Sequence, residues 1–147
     1  MRVFSSMTTS GSGMTAERLR MDVIAGNLAN ANTTRGLDGH TYRRRLPVFS
    51  ERTSSPLAGW MGHQFVRTQS AGVQVAGIVE DPSPLRREYQ PDHPDADDEG
   101  YVEFPNVDVV REMVDLMTAS RAYEANATVI DVTKQMATRA LELGRGV

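Results

Sequence analysis

The stretch PDHPDADDEGYVEFPN, residues 91–106, holds the residues of this chain best suited to chemistry. Asp95, Asp97 and Glu99 alternate ahead of Gly100, the spacing with which an EF-hand calcium loop begins, glycine at the sixth place included. The twelfth place falls on Asn106, so the bidentate glutamate that closes such a loop is missing, and no helical pattern precedes it. The competing reading is an acidic turn leading into a helix, with Asp108 best placed to favour the helix dipole. His93 stands between Asp92 and Asp95, a grouping that could serve acid–base work, but no G-x-S-x-G, H-E-x-x-H or comparable companion occurs. His40, His63 and His93 show no ligand spacing and read as surface or turn residues. Arg43, Arg44 and Arg45 could meet phosphate or an acidic partner, yet consecutive strand residues face opposite sides, so they do not build one patch. Trp60 and Met61, in a glycine-flanked loop, either anchor a contact or plug a small core. No catalytic residue, metal, cofactor or small-molecule substrate is assigned, and the chain is read as a non-enzyme.

Length, charge and periodicity set the elements that would position these groups. At 147 residues the chain suits one ordinary domain, or a small domain with extended arms. With 16 basic against 19 acidic residues its net charge is -3, which argues against nucleic-acid binding. Cysteine is absent, removing disulfides and thiolate metal sites, and suiting a protein exported unfolded. No stretch approaches the roughly 20 apolar residues of a membrane span. MRVFSSMTTSGSGMT lacks the apolar core of a cleavable secretory signal, so another route is expected if the protein is exported. Residues 35–87 carry eight arginines and four acids, whereas residues 88–108 carry eight acids and no base. The expected organisation is an N-terminal helical arm (1–35), a β-rich insert (36–91), an acidic connector (92–107) and a C-terminal long helix (108–147).

Both arms have a helical repeat. Met7, Met14, Met21 and Leu28 lie seven apart, and Val3, Ile24 and Ala31 follow an adjacent line interrupted by Ser10 and Glu17. That is a heptad-like seam over four repeats. Gly11 and Gly13 each cost about 1 kcal/mol relative to alanine. Residues 15–31 are therefore predicted helical in most contexts, and residues 3–14 only when something packs against them. In the C-terminal arm, Pro105 and Asn106 make a turn, Asp108 is the expected N-cap and Gly144 the expected stop. Val109, Leu116, Tyr123, Ile130 and Ala137 form one line; Met113, Ala127 and Leu141 form most of the next, with Ser120 and Lys134 as its polar members.

A helix over 108–143 would be about 54 Å long, far beyond the mean of about 11–12 residues. The cheapest internal arrangement is an antiparallel pair, which leaves apolar stripes uncovered. Alanines at 119, 122, 125, 127, 137 and 140 offer narrow faces for further helices from other subunits. The middle differs: TYRRRLPVF, GVQVAGIVED and GYVEF are strand-like, separated by Gly, Pro and Ser stretches. The expected fold is α+β, with long terminal amphipathic helices packed as an antiparallel coiled-coil-like pair and a small β-rich insert between them.

The segment SGMTAERLRMDVIAGNLANANTTRGLDGHTYRRR resembles the N-terminal signature of bacterial flagellar rod and hook proteins, whose core is usually written around NNIANANT. Asn27 to Thr33 stand in that motif, and Gly26 replaces its first asparagine. The connector PDHPDADDEGYVEFPNVD and the helix EMVDLMTASRAYEAN are similar to those of the proximal-rod members. The resemblance covers nearly the full chain and is weakest across residues 48–70. It implies a structural subunit of the flagellar basal body, located in the rod within the cell envelope. The implied partners are other copies of itself, other flagellar rod proteins and the flagellar type III export apparatus, which needs no cleavable signal peptide.

Asparagine is a poor helix-interior residue because its amide competes for backbone groups. Asn27, Asn30 and Asn32 are therefore expected either to make directional contacts with neighbouring chains, fixing stacking register, or simply to end the helix. The expected subunit-interface residues are Met7, Met14, Met21, Ile24, Asn27, Leu28, Asn30 and Asn32 on the first helix. On the second they are Val109, Met113, Leu116, Tyr123, Asn126, Ile130, Ala137 and Leu141. In a free monomer such arms would be partly disordered and fold on assembly. The alternative is an exported coiled-coil adaptor outside any rod, which would form small, defined oligomers.

Overall fold

A helix opens the chain and another closes it. The computed structural model describes residues 2–36, 39–53 and 70–145. In it α1 spans Arg2–Ala29 and α2 spans Val109–Arg145. Between them come β1 (Arg45–Thr53), β2 (Ser70–Glu80), β3 (Arg86–Tyr89) and β4 (Tyr101–Phe104). β1 pairs with β2 in one two-stranded sheet and β3 with β4 in another. This is the expected α+β arrangement. The Trp60, Met61 and His63 loop lies outside the described residues.

Asp108 caps α2 as expected: its carboxylate accepts the amides of Val110 at 2.9 Å and Arg111 at 3.2 Å. Gly144, expected to stop the helix, lies inside it as α2 continues to Arg145. β3 was not legible as a strand, because RREY lacks apolar alternation. Its pairing with β4 is antiparallel, Arg86 opposite Phe104 and Tyr89 opposite Tyr101. Rings and guanidinium groups supply the packing that aliphatic residues usually provide. Tyr89 and Tyr101 meet edge to face at 5.3 Å, while Arg87 lies over Tyr101 at 5.1 Å and Arg86 over Phe104 at 5.3 Å.

The chain forms two compact units. The first comprises Met1–Arg18, Phe49–Ala76 and Ser120–Val147; the second comprises Leu19–Val48 and Gly77–Ala119. In the first, the buried side chains among the described residues are Ser10, Ala16 and Thr133, a thin core with one hydrophobe. Gly13 lets α1 approach α2 there, since a Cβ on it would sit 3.1 Å from the Asn126 amide nitrogen. Helix formation reaches back through residues 3–14, where packing was the stated condition, and β2 meets that turn of α1 at Ser12.

The second unit has a fuller core of Ile24, Ala31, Val102, Phe104, Val107 and Ala119. Within it Asn27 meets Glu112 and Arg20 meets Asp115. Residue numbers rise along α1 as they fall along α2, so the helices run antiparallel there.

The most enclosed lines of the helices are not the most apolar ones. Met7, Met14, Met21 and Leu28 are only half-buried, whereas Ser10, Ile24 and Ala31 on the adjacent line are buried. On α2 the enclosed positions are Glu112, Ala119 and Thr133, spaced by multiples of seven, while Val109 and Met113 are exposed. Small or internally satisfied side chains let the backbones approach, so they occupy the seam that hydrophobicity alone assigns to methionine and valine.

Candidate functional site

The three asparagines do three different things. Asn27 is 1% exposed. Its carbonyl oxygen accepts the Tyr42 hydroxyl and the Arg45 amide, each at 2.9 Å, and its amide donates to the Arg45 carbonyl and Glu112 Oε2, again at 2.9 Å. Two donors and two acceptors are all this side chain has, so its directional contacts are spent within the chain. Asn30 ends the helix locally: its amide donates to the Gly26 carbonyl at 2.9 Å, and its carbonyl accepts the Thr33 hydroxyl at 3.2 Å. Asn32 is exposed in the following turn.

Asn27 opens onto a charged cluster. Glu112, in the first turn of α2, is fully buried. Arg44 reaches its Oε1 through Nε at 2.6 Å and through Nη2 at 2.5 Å. The same guanidinium lies 3.3 Å from Asp115 and 3.7 Å from Asp81, and Arg20 stands 3.6 Å from Asp115. The Arg44 amide donates to Asn106 Oδ1 at 2.8 Å, and the Asn106 amide reaches the carbonyls of Asp81 and Ser83, each at 3.2 Å. Hydrogen bonds from the Ser83 hydroxyl and amide, with Arg44 adding its charge, hold the Asp81 carboxyl below the usual range. Burial raises the Tyr42 phenol, which the Arg45 charge opposes. A lone carboxylate at Glu112 would be prohibitive to bury; Arg44 and Asn27 together make it tolerable.

The other reactive-looking residues are committed to shaping turns. Asp97 accepts the amides of Glu99 at 3.0 Å and Tyr101 at 2.8 Å and pairs with Arg87 at 2.7 Å, which together lower its pKa, the Tyr101 amide most. Asp95 accepts the Thr34 hydroxyl at 2.8 Å and faces Arg35 at 3.6 Å. No group of three metal-ligating side chains that could hold an ion occurs among the described residues. The His93 Nδ1 accepts the Asp95 amide at 3.1 Å, and its ring meets the edge of Phe104. The three arginines diverge, although only Arg45 lies in β1 and the other two precede it: Arg43 goes to the Asp81 and Ser83 carbonyls, Arg44 inward, and Arg45 over the Tyr42 ring.

Of the expected interface residues, Ile24 and Asn27 are enclosed within the second unit. Met7, Met14, Met21, Leu28, Asn30, Leu116, Tyr123, Asn126, Ile130 and Ala137 are half-buried, and Asn32, Val109, Met113 and Leu141 are exposed. A further set escaped the sequence reading. In the second unit Val110 (72% exposed), Val114 and Met117 stand out from α2 beside Met113; in the first unit Val129, Val132, Met136 and Leu143 do so. The signal was present as i, i+3, i+4, i+7 spacing at 110, 113, 114 and 117. Following two neighbouring heptad lines concealed it, because this helix has apolar residues on further sides as well. No helix among the described residues is long and apolar enough to cross a membrane.

Comparison with known proteins places these features in a family. The pattern described as "Flagella basal body rod protein" matches residues 7–35, and that described as "Flagellar basal body rod FlgEFG protein C-terminal" matches residues 98–143. The flagellar basal-body rod protein FlgC of Borreliella burgdorferi is 46% identical, covering 99% of this chain and 100% of its own length. The protein of that name from Bacillus subtilis is 42% identical with the same coverage, and that from Salmonella typhimurium is 39% identical, covering 99% of this chain. Similarity along both helices and everything between them, at this level of identity, settles descent: the chain belongs to the FlgC family of flagellar basal-body rod proteins.

Proposed function

We propose that this rod subunit polymerises with copies of itself and with other rod proteins into a hollow shaft that transmits torque through packed helices. Residues 1–35 and 108–147 are then its rod-core arms, 36–91 its insert and 92–107 its connector. The observation that carries the reading is the outward face of α2. Val110, Met113, Val114 and Met117 are each more than half exposed, on a helix whose enclosed positions are Glu112, Ala119 and Thr133. Covering each such half-exposed side chain is worth about 1 kcal/mol, and apolar patches of this kind mark protein contacts. The work is mechanical, with no catalytic step. Delivery by the flagellar type III export apparatus and residence in the rod within the cell envelope complete the proposal.

The test replaces Val110, Met113 and Met117 together by aspartate and supplies the variant to cells lacking their own copy. Wild type should restore swimming and intact rods in purified basal bodies, whereas the triple variant should be exported yet build none. Rods of wild-type number from that variant would refute the reading. Small, closed oligomers of the purified wild type that ignore other rod proteins would favour an adaptor instead.

A further inference from the structure

We propose that β2 is a strap that keeps the N-terminal half of α1 helical in the unassembled subunit, fastened where Gly72 and Val73 lie on Ser12. The inference concerns the isolated chain and stands apart from the rod assignment.

Residues 5–14, SSMTTSGSGM, make a poor helix by themselves. They include two glycines, four serines and two threonines, whose side chains offer the backbone competing hydrogen bonds. No acidic residue sits in the first turn to favour the dipole. Among the described side chains of residues 5–14, Ser10 alone is buried, so an apolar face does not account for the helix. Nonetheless α1 is helical from Arg2.

At one turn of this segment a strand backbone rests directly on it. The Ser12 hydroxyl donates to the Thr9 carbonyl at 2.7 Å and accepts the Val73 amide at 3.1 Å, joining helix and strand through one oxygen. Gly72 has φ +115, a conformation L side chains rarely adopt. A Cβ on it would collide with the Ser12 hydroxyl and come within 3.4 Å of the Thr9 Cα. The contact thus needs a glycine at 72, a short hydroxyl side chain at 12 and a free amide at 73, and it has all three. Gly77, in the same strand, has nothing within 4 Å of its Cβ position, so the closeness at 72 is specific to that residue. Val73 and Val75 are half-buried while Gln74 and Ala76 are exposed, the alternation of a strand with one covered face.

Hydrogen exchange on the full chain, at a concentration where light scattering shows a monomer, tests the strap. Ser12→Ala is the deciding variant, because alanine is the better helix former. If propensity alone governs, exchange of amides 8–14 slows; if the strap governs, it accelerates, by about tenfold or more. Gly72→Ala should accelerate the same amides at least as much, leave residues 19–29 unchanged and contrast with a silent Gly77→Ala. Unchanged or slower exchange in Ser12→Ala would overturn the proposal. So would a wild-type monomer whose residues 8–14 exchange as freely as an unfolded chain. Should Gly72→Ala fail to fold, the Ser12→Ala result decides alone.

Discussion

Replacing Arg44 by methionine keeps most of the stem and removes the charge that lets Glu112 be buried. Arg44 contacts Glu112 Oε1 through Nε at 2.6 Å and through Nη2 at 2.5 Å, and Glu112 has no exposed surface. Breaking a buried pair by removing one partner costs about 3–5 kcal/mol. The other two carboxylates around Arg44 add little. Asp115 is about a third exposed and keeps Arg20, and Asp81 keeps its Ser83 hydrogen bonds. For a chain of this size the loss corresponds to a fall in Tm on the order of 10 °C.

Removing the carboxylate's charge tests the cause. In Arg44→Met the buried carboxylate keeps Asn27 as its side-chain partner among the described residues, and the deficit against wild type is read from denaturant titrations at pH 7.5. Adding Glu112→Gln should recover a large part of it at pH 7.5. A deficit below about 1 kcal/mol at pH 7.5, or one that Glu112→Gln enlarges, would show that the pair does not hold this end of the helices together.

Two further expectations come from the same unit. Alanine at Asn27, Asn30 and Asn32 should destabilise the monomer in that order, by about 3, about 1 and about 0 kcal/mol, following four, two and no side-chain hydrogen bonds among the described residues. Equal costs in thermal melts would remove the division of roles. Asp81 and Asp97 both have lowered pKa values, so their stabilisation is complete above the unfolded value of about 3.9 and is lost as the pH falls through their folded values. Asp97→Asn should flatten the acid limb of a stability–pH curve, and an unaltered limb would refute its contribution.

How much of this was legible depended on how local the cause was. The cap at Asp108, both helices and the strands around 45–53, 70–80 and 101–104 carry their signals within a few residues. β3 does not, because its apolar cover comes from rings and guanidinium groups meeting across the pair. Asn27 was singled out by residue type, but its partners Tyr42, Arg45 and Glu112 lie up to 85 positions away, and no local rule names them. Arg44 was one of three consecutive arginines that could meet phosphate or an acidic partner. Strand alternation was expected to part it from its neighbours, but it precedes β1, and no local rule says that it turns inward to Glu112. Gly72 passed as the first residue of the strand-like GVQVAGIVED, and only the nearby helix gives its missing side chain a reason.

The two helices also show why the most apolar line is not the most enclosed one within the chain. A helix pair that must bury its contact alone puts leucine and methionine between the backbones and polar groups outside. Here, Ile24 apart, the enclosed positions on the two helices are short or polar: Ser10, Ala16, Asn27, Glu112, Ala119 and Thr133. Thr133 can be buried because it donates to the Val129 carbonyl at 2.7 Å, and Glu112 because it takes Arg44 and Asn27. Short side chains also allow backbones to come closer than leucine permits. Methionine and valine are then left on the outside, where they are costly to expose. Order where Asn27, Arg44 and Glu112 meet therefore rests on matched hydrogen bonds, which specify one register, whereas in the proposed assembly association rests on apolar area, which attracts without specifying. A subunit built to be enclosed by neighbours needs the two in that order. Its own register must be set before contact, because apolar faces alone would accept a shifted partner almost as readily as the right one.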